Sequence, residues 1–86
     1  MEDMLPPEEL SLLTFQDTHP QHRGAKEAAI RTRFGIGSAR FYQRVHSLVR
    51  RPDVVAEYPQ LAFRILRLEE SAEHRREERS RMRRVA

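Results

Sequence analysis

The sequence predicts a small all-α protein, a helix-turn-helix domain of four to five helices that includes a long C-terminal helix with a basic end. Apolar residues recur at helical spacing in several segments, and prolines and glycines separate those segments. A chain of 86 residues with six aromatic side chains and a charged third can bury one modest core. We therefore expect a single unit without strands.

The first helix is predicted from Pro6 and Pro7 to about Thr18. Prolines and carboxylates suit the first turn of a helix, and Glu8 and Glu9 follow directly. Leu10, Leu13 and Phe15 supply the apolar face. The segment from His19 to Gly24 reads as a loop.

Two helices separated by a short turn are predicted between Ala25 and Arg50. The first ends at Gly35, which can adopt the left-handed conformation that closes a helix. Ile36 occupies the turn, and Gly37 and Ser38 are acceptable N-caps for the second helix. In that helix the apolar stripe contains Phe41, Val45, Leu48 and Val49. This length of turn is typical of a DNA-binding helix-turn-helix, although a plain solvated helix would show the same periodicity.

The sequence Arg51-Pro52-Asp53 should end this helix, because proline lacks an amide proton and restricts the residue before it. Residues 54–58 are predicted to form one short turn, and Pro59 begins a last helix that extends to about Arg83. One apolar stripe of the last helix contains Leu61, Ile65, Leu68 and Ala72. A second apolar face contains Ala62, Phe63 and Leu66. This face is predicted to be a dimer seam, with packing of Phe63 on residues 54–58 as the alternative.

The predicted division of the chain is an acidic N-terminal segment with the first helix (1–18), a helix-turn-helix core (19–58) and the long last helix (59–86). Residues 1–17 carry a charge of −5, whereas the rest carries 16 basic against 8 acidic residues, or +8. The acidic leader is interpreted as a disordered tail rather than a regulatory segment. Residues 73–84 are either a solvated helix end or a basic arm that contacts phosphates.

Several function classes are not supported by the sequence. The chain has no cysteine, so disulfides, thiolate zinc sites and cysteine nucleophiles are excluded. No stretch approaches the length of a membrane span, and the N-terminus does not resemble a secretory signal. His19 and His22 lack further ligands, and Gly35-x-Gly37 lacks the context of a nucleotide site. We expect no catalysis, no metal, no cofactor and no small-molecule substrate, and a cytoplasmic location.

The predicted contacts divide into base reading and backbone binding. The exposed stripe of the second helix of the motif should read bases in the major groove, with Arg40 and Gln43 as the strongest candidates. This base-reading stripe comprises Ala39, Arg40, Gln43 and Ser47. Tyr42 could either reach a phosphate or belong partly to the core. The predicted backbone contacts are Arg23, Lys26, Arg31, Arg33, Ser38, Tyr42, Arg44, Arg50 and Arg51.

The chain also resembles a known family in a set of residues spread from Gly24 to about Leu68. The matching residues are Gly24-Ala25-Lys26-Glu27, Ala29-Ile30-Arg31, Phe34-Gly35, Ala39-Arg40-Phe41-Tyr42-Gln43, Arg51-Pro52-Asp53, Ala56, Pro59, Leu61 and Arg64. They resemble the short actinobacterial helix-turn-helix proteins long catalogued as a domain of unknown function, which include small nucleoid-associated DNA-binding proteins. The chain departs from that pattern at His19-Pro20, where tryptophans are common, and at Gly37, where serine is common.

The resemblance implies double-stranded DNA as the ligand and a role in chromosome organisation or transcription, in the bacterial nucleoid or in a bacteriophage. A homodimer, even a weak one, would present two copies of the recognition helix to a palindromic site. The alternative is a protein-interaction module that docks on an acidic partner such as RNA polymerase, because a fold alone does not determine function.

Overall fold

The computed structural model describes residues 5–85, and this range is all-helical without a strand. The five helices are α1 (Pro7–Thr18), α2 (Gly24–Phe34), α3 (Ser38–Leu48), α4 (Pro52–Glu57) and α5 (Pro59–Val85). The predicted all-α class is confirmed. Glu2 and Asp3 of the predicted acidic segment lie outside the described residues.

Prolines and one glycine account for most helix boundaries. Pro7, Pro52 and Pro59 each stand at the start of a helix, where the missing amide proton costs nothing. Gly35 ends α2 with φ 69°, in the left-handed region, and its amide donates to the Arg31 carbonyl at 2.9 Å. A side chain at this position would be strained. Residues 35–37 then connect α2 to α3.

Helix α3 ends at Leu48, two residues before the predicted end. The amides of Arg50 and Arg51 donate to the carbonyls of Ser47 and Leu48, so the chain tightens into a final turn. Arg51 is extended, as the residue before a proline prefers. The predicted short turn at residues 54–58 is instead the helix α4, which begins at Pro52.

The core is formed by side chains from all five helices. Phe41 of α3 is completely buried at its centre, and its ring contacts those of Phe15, Phe34 and Tyr42 at centroid distances of 5.3–5.8 Å. The other buried apolar residues are Leu5, Leu12, Leu13, Ile30, Val45, Leu48, Val49, Val54, Ala62 and Ile65. Helix α3 therefore has one face fixed against α1 and α2.

The apolar faces of α5 differ from the prediction. Ala62 and Ile65 are completely buried, whereas Phe63 is 53% exposed and Leu68 is 39% exposed. Ala62 therefore belongs to the protomer core and cannot lie in a dimer seam, which corrects the prediction for this residue. The reason is the register of α5: Ala62 lies beside Ile65 on the face that packs on the body of the protein.

A bidentate ion pair connects α1 to α5. Arg64 donates from Nε and Nη2 to the two carboxylate oxygens of Asp17, both at 2.9 Å. The guanidinium group lowers the pKa of the Asp17 carboxyl, chiefly through these hydrogen bonds. Beyond this body, every side chain from Glu73 to Arg83 is exposed.

Candidate functional site

The exposed face of α3 contains all four predicted base-reading residues. Phe41, Val45 and Leu48 anchor the opposite face in the core. Because side chains three and four positions apart share a helix face, this packing turns the base-reading stripe toward solvent. Ala39, Arg40, Gln43 and Ser47 are exposed. A shallow groove runs beside them, lined by Glu9, Arg40, Gln43, Arg44, Ser47, Leu48 and Arg51.

One edge of this face is lined by arginines that meet carboxylates of α1. Arg44 lies 3.7 Å from Glu8 and 3.9 Å from Glu9, measured between guanidinium nitrogens and carboxylate oxygens. Arg51 lies 3.9 Å from Glu9 and also binds Asp53 bidentately at 2.6 and 3.1 Å. Hydrogen bonding to Arg51 lowers the pKa of Asp53. The predicted phosphate contacts Arg44 and Arg51 are thus already paired with carboxylates.

The other edge of the α3 face meets α5. Glu69 accepts a hydrogen bond from Arg50 Nη1 at 3.0 Å, and the same Glu69 oxygen lies 2.9 Å from His46 Nδ1. Arg50 also donates to the carbonyl of His46 at 3.0 Å. Glu69 therefore holds Arg50 beside the exposed stripe. Arg40 is exposed, and it makes no ion pair with another residue between positions 5 and 83.

The predicted contacts Arg23, Arg31 and Arg33 are exposed, and Ser38 lies close to the surface. Arg31 and Arg33 are exposed, and the guanidinium of Arg33 lies 5.4 Å from the centre of the Phe15 ring. Arg23 donates to Gln21 at 2.8 Å. Ser38 is half-buried, and its hydroxyl donates to Glu27 at 3.2 Å. The Ser38 hydroxyl, which was predicted to hold a phosphate, thus already donates to a carboxylate.

Lys26 is not a surface contact, which corrects the prediction for this residue. Its side chain is 5% exposed, and its Nζ donates to Gln16 Oε1 at 2.6 Å and lies 4.8 Å from the centre of the Tyr42 ring. Burial lowers the pKa of Lys26 to about 8. The register could have revealed this, because Lys26 precedes Ile30 and Phe34 at intervals of four residues and so lies on the inner stripe of α2.

Tyr42 combines both predicted characters. Its ring is half-buried against Phe41, and burial raises the pKa of its phenol. Its hydroxyl lies 3.1 Å from His22 Nδ1 at the surface. Tyr42 therefore lies partly in the core, and its hydroxyl lies at the surface close to the start of α2.

The guanidinium groups around the exposed face of α3 are suited to binding anions. Within the described residues, no group of three or more histidine, aspartate or glutamate side chains is placed to hold a metal ion. In the same range, no helix is long and apolar enough to cross a membrane. The exposed face of α3 has guanidinium groups around Arg40 and Gln43. Guanidinium binds phosphate and carboxylate in the same forked geometry.

Comparison with known proteins gave one family. A model of the family described as "Protein of unknown function (DUF3263)" matches residues 4–84. No curated protein and no solved structure matched the chain.

Proposed function

We propose that this chain, which belongs to the DUF3263 family of proteins of unknown function, is a helix-turn-helix protein that binds double-stranded DNA. In this proposal α2, residues 35–37 and α3 form the motif, and α3 enters the major groove. The protein would act as a nucleoid-associated protein or transcriptional modulator in the bacterial cytoplasm, without cofactor or catalysis. That biological role rests on the resemblance to the small actinobacterial DNA-binding proteins.

The observation that carries the proposal is the exposed stripe of α3. Arg40 and Gln43 project from a helix whose opposite face is fixed in the core, so they are presented on a rigid element. Arginine pairs bidentately with guanine, and glutamine pairs with adenine. Arg44 and Arg51 line the same groove as Arg40 and Gln43, and Arg50 is exposed one turn beyond Ser47, so all three are candidates for contacts with the DNA backbone.

Replacing Arg40 tests the base-reading role. Arg40→Ala should weaken binding to the preferred duplex by about 1–3 kcal/mol, roughly 5- to 150-fold in Kd, because one bidentate base contact is lost. Binding to random duplex should change much less. Fluorescence anisotropy on a sequence selected from a random pool, and on a scrambled duplex, would measure both affinities over a range of salt concentrations.

The matched control is Arg67→Ala, which removes one positive charge from an exposed position of α5. Equal losses for Arg40→Ala on the selected and scrambled duplexes would make Arg40 a phosphate contact. If the parent protein binds neither duplex at low salt, the proposed function is wrong, because phosphate contacts alone support non-specific binding.

We further propose a homodimer whose seam contains Phe63 and Leu66. Phe63 is a large exposed apolar residue, and the partly buried Leu66 follows three positions later on the same side of α5. Phe63→Arg should give a folded monomer with weaker, less cooperative DNA binding, because a charge would be desolvated in the seam. Sedimentation velocity with and without duplex measures the assembly. Leu68→Arg, on another side of α5, is the control, and a parent protein that is monomeric in both conditions would refute the dimer.

The second candidate is a module that docks on an acidic protein surface. It is favoured by the carboxylates that already contact the arginines of α3, because an acidic partner such as RNA polymerase could bind in the same way. The salt-dependent duplex measurement separates the two. Absence of DNA binding at low salt, together with a stoichiometric complex with an acidic protein, would favour the second candidate.

A further inference from the structure

The arginines on both edges of the α3 face are held by carboxylates from outside α3. On one edge, Glu9 of α1 reaches Arg44 and Arg51, with both nitrogen–oxygen distances at 3.9 Å. On the other edge, Glu69 of α5 reaches Arg50 at 3.0 Å. The exposed Arg40 and Gln43 lie between these two edges. The same side chains that should contact DNA phosphates therefore already have anionic oxygens beside them.

A carboxylate and a phosphate are alternative partners for the same guanidinium group. Such exposed pairs are weak, so they can exchange readily with a stronger anion. When a DNA phosphate replaces the carboxylate at an arginine, the carboxylate stays close to that phosphate. Its position is fixed because α1 and α5 are packed on the body of the protein. Glu9 and Glu69 are only 27% and 26% exposed at the side chain, which is consistent with this fixed placement.

We infer that Glu9 and Glu69 act as built-in competitors of DNA phosphate on the two edges of α3, and this inference rests on the proposed DNA binding. DNA binding then proceeds by exchange of intramolecular carboxylates for phosphates. Each exchange lowers affinity on every sequence equally, since Glu9 and Glu69 leave the base-reading side chains Arg40 and Gln43 untouched. The two acidic residues thus determine how tightly the protein holds DNA at a given salt concentration, without changing which sequence it prefers.

The test compares Glu9→Gln and Glu69→Gln, alone and together, with the parent protein. Glutamine keeps a hydrogen-bond acceptor and removes the charge. Glu69→Gln should bind both the selected and the scrambled duplex about 2- to 5-fold more tightly, since that is the scale of one exposed ion pair. Glu9→Gln should have a smaller effect in the same direction, because Glu8 and Asp53 remain beside Arg44 and Arg51. The plot of log affinity against log salt should steepen by up to about one unit per carboxylate, because no freed carboxylate then takes up a cation.

The control is Glu57→Gln, an exposed position of α4 that makes the same change in net charge. Circular dichroism would verify that all variants keep the parent's fold.

If Glu9→Gln and Glu69→Gln behave as Glu57→Gln does, net charge explains the effect and the competition is refuted, while DNA binding stands. Weaker binding by the glutamine variants would equally refute it, because the carboxylates would then position the arginines for DNA. If neither parent nor variants bind duplex at low salt, both the proposed function and this inference fail.

Discussion

Phe41→Ala is expected to lower the free energy of unfolding by about 3–5 kcal/mol. Phe41 is completely buried, and its ring packs against those of Phe15 and Phe34 at 5.8 and 5.7 Å. Truncation removes apolar contacts and leaves a cavity between three helices that cannot collapse fully. A domain of this size has a total stability of roughly 4–13 kcal/mol, so the expected loss is a large fraction of it.

Urea denaturation monitored by tyrosine fluorescence would measure this loss, because Tyr42 lies directly against Phe41. Phe63→Ala is the matched control, since it removes the same ring from a position that is 53% exposed. At protein concentrations too low for association, that control should change stability by less than about 0.5 kcal/mol. Similar effects of the two substitutions would contradict the assignment of Phe41 to the centre of the core.

The second large effect concerns pH and Lys26. Burial lowers the pKa of Lys26 from 10.5 to about 8 in the folded protein. Between these two values the unfolded chain binds more protons than the folded one, so stability rises with pH in this window. From pH 7 to pH 9.5 the free energy of unfolding should increase by about 2 kcal/mol. The measurement is urea denaturation at several pH values.

Lys26→Met should abolish this rise, because methionine has a similar unbranched side chain and does not titrate. The pH range should end at 9.5, since Tyr42 acts in the opposite direction above it. Burial raises the Tyr42 pKa, so stability is lost once the unfolded chain ionises near pH 10. Lys26→Met leaves Gln16 Oε1 without the donor that lies 2.6 Å from it in the parent protein. The double variant Gln16→Leu, Lys26→Met also removes this unpaired acceptor. A parent protein with flat stability from pH 7 to 9.5 would contradict a buried, depressed Lys26.

The helices were predictable because their boundaries are encoded locally. Proline at a first turn and glycine at a helix end act within one or two residues, so α1, α2 and α5 begin or end close to the predicted positions. The end of α3 was placed two residues late, because the loss of regular helix before Pro52 extends further back than the proline itself. Local sequence rules therefore predict where a helix begins and ends, but they are less accurate for its last turn.

The burial of Lys26 and of Ala62 contradicts the predictions for these residues for two different reasons. A lysine is usually exposed, yet position 26 shares a stripe with Ile30, and the acceptor that allows burial comes from Gln16 on another helix. Which neighbours of Ile65 face the core depends on where α1 and α4 lie. A periodic pattern on α5 alone does not contain that information.

The carboxylates at the edges of α3 could not be predicted from local sequence. Glu9 meets Arg44 and Arg51 across more than thirty residues of chain, and Glu69 meets Arg50 from the last helix. Such pairs follow from tertiary packing rather than from spacing. The exposed Arg40-Gln43 stripe, by contrast, followed directly from the 3.6-residue period of α3.

The extension of α5 beyond the body has a consequence for how unfolding is observed. From Glu73 to Arg83 no side chain is buried, so this part of the helix depends on backbone hydrogen bonds and on pairs such as His74–Glu78 at 3.2 Å. A helical segment this short is marginal by itself, and it should fray at temperatures that leave the core intact. Far-ultraviolet ellipticity would then decline gradually before the cooperative transition, whereas tyrosine fluorescence would follow the core alone. Two melting curves from one sample would therefore differ, and their difference would measure helix–coil fraying at the end of α5 rather than a folding intermediate.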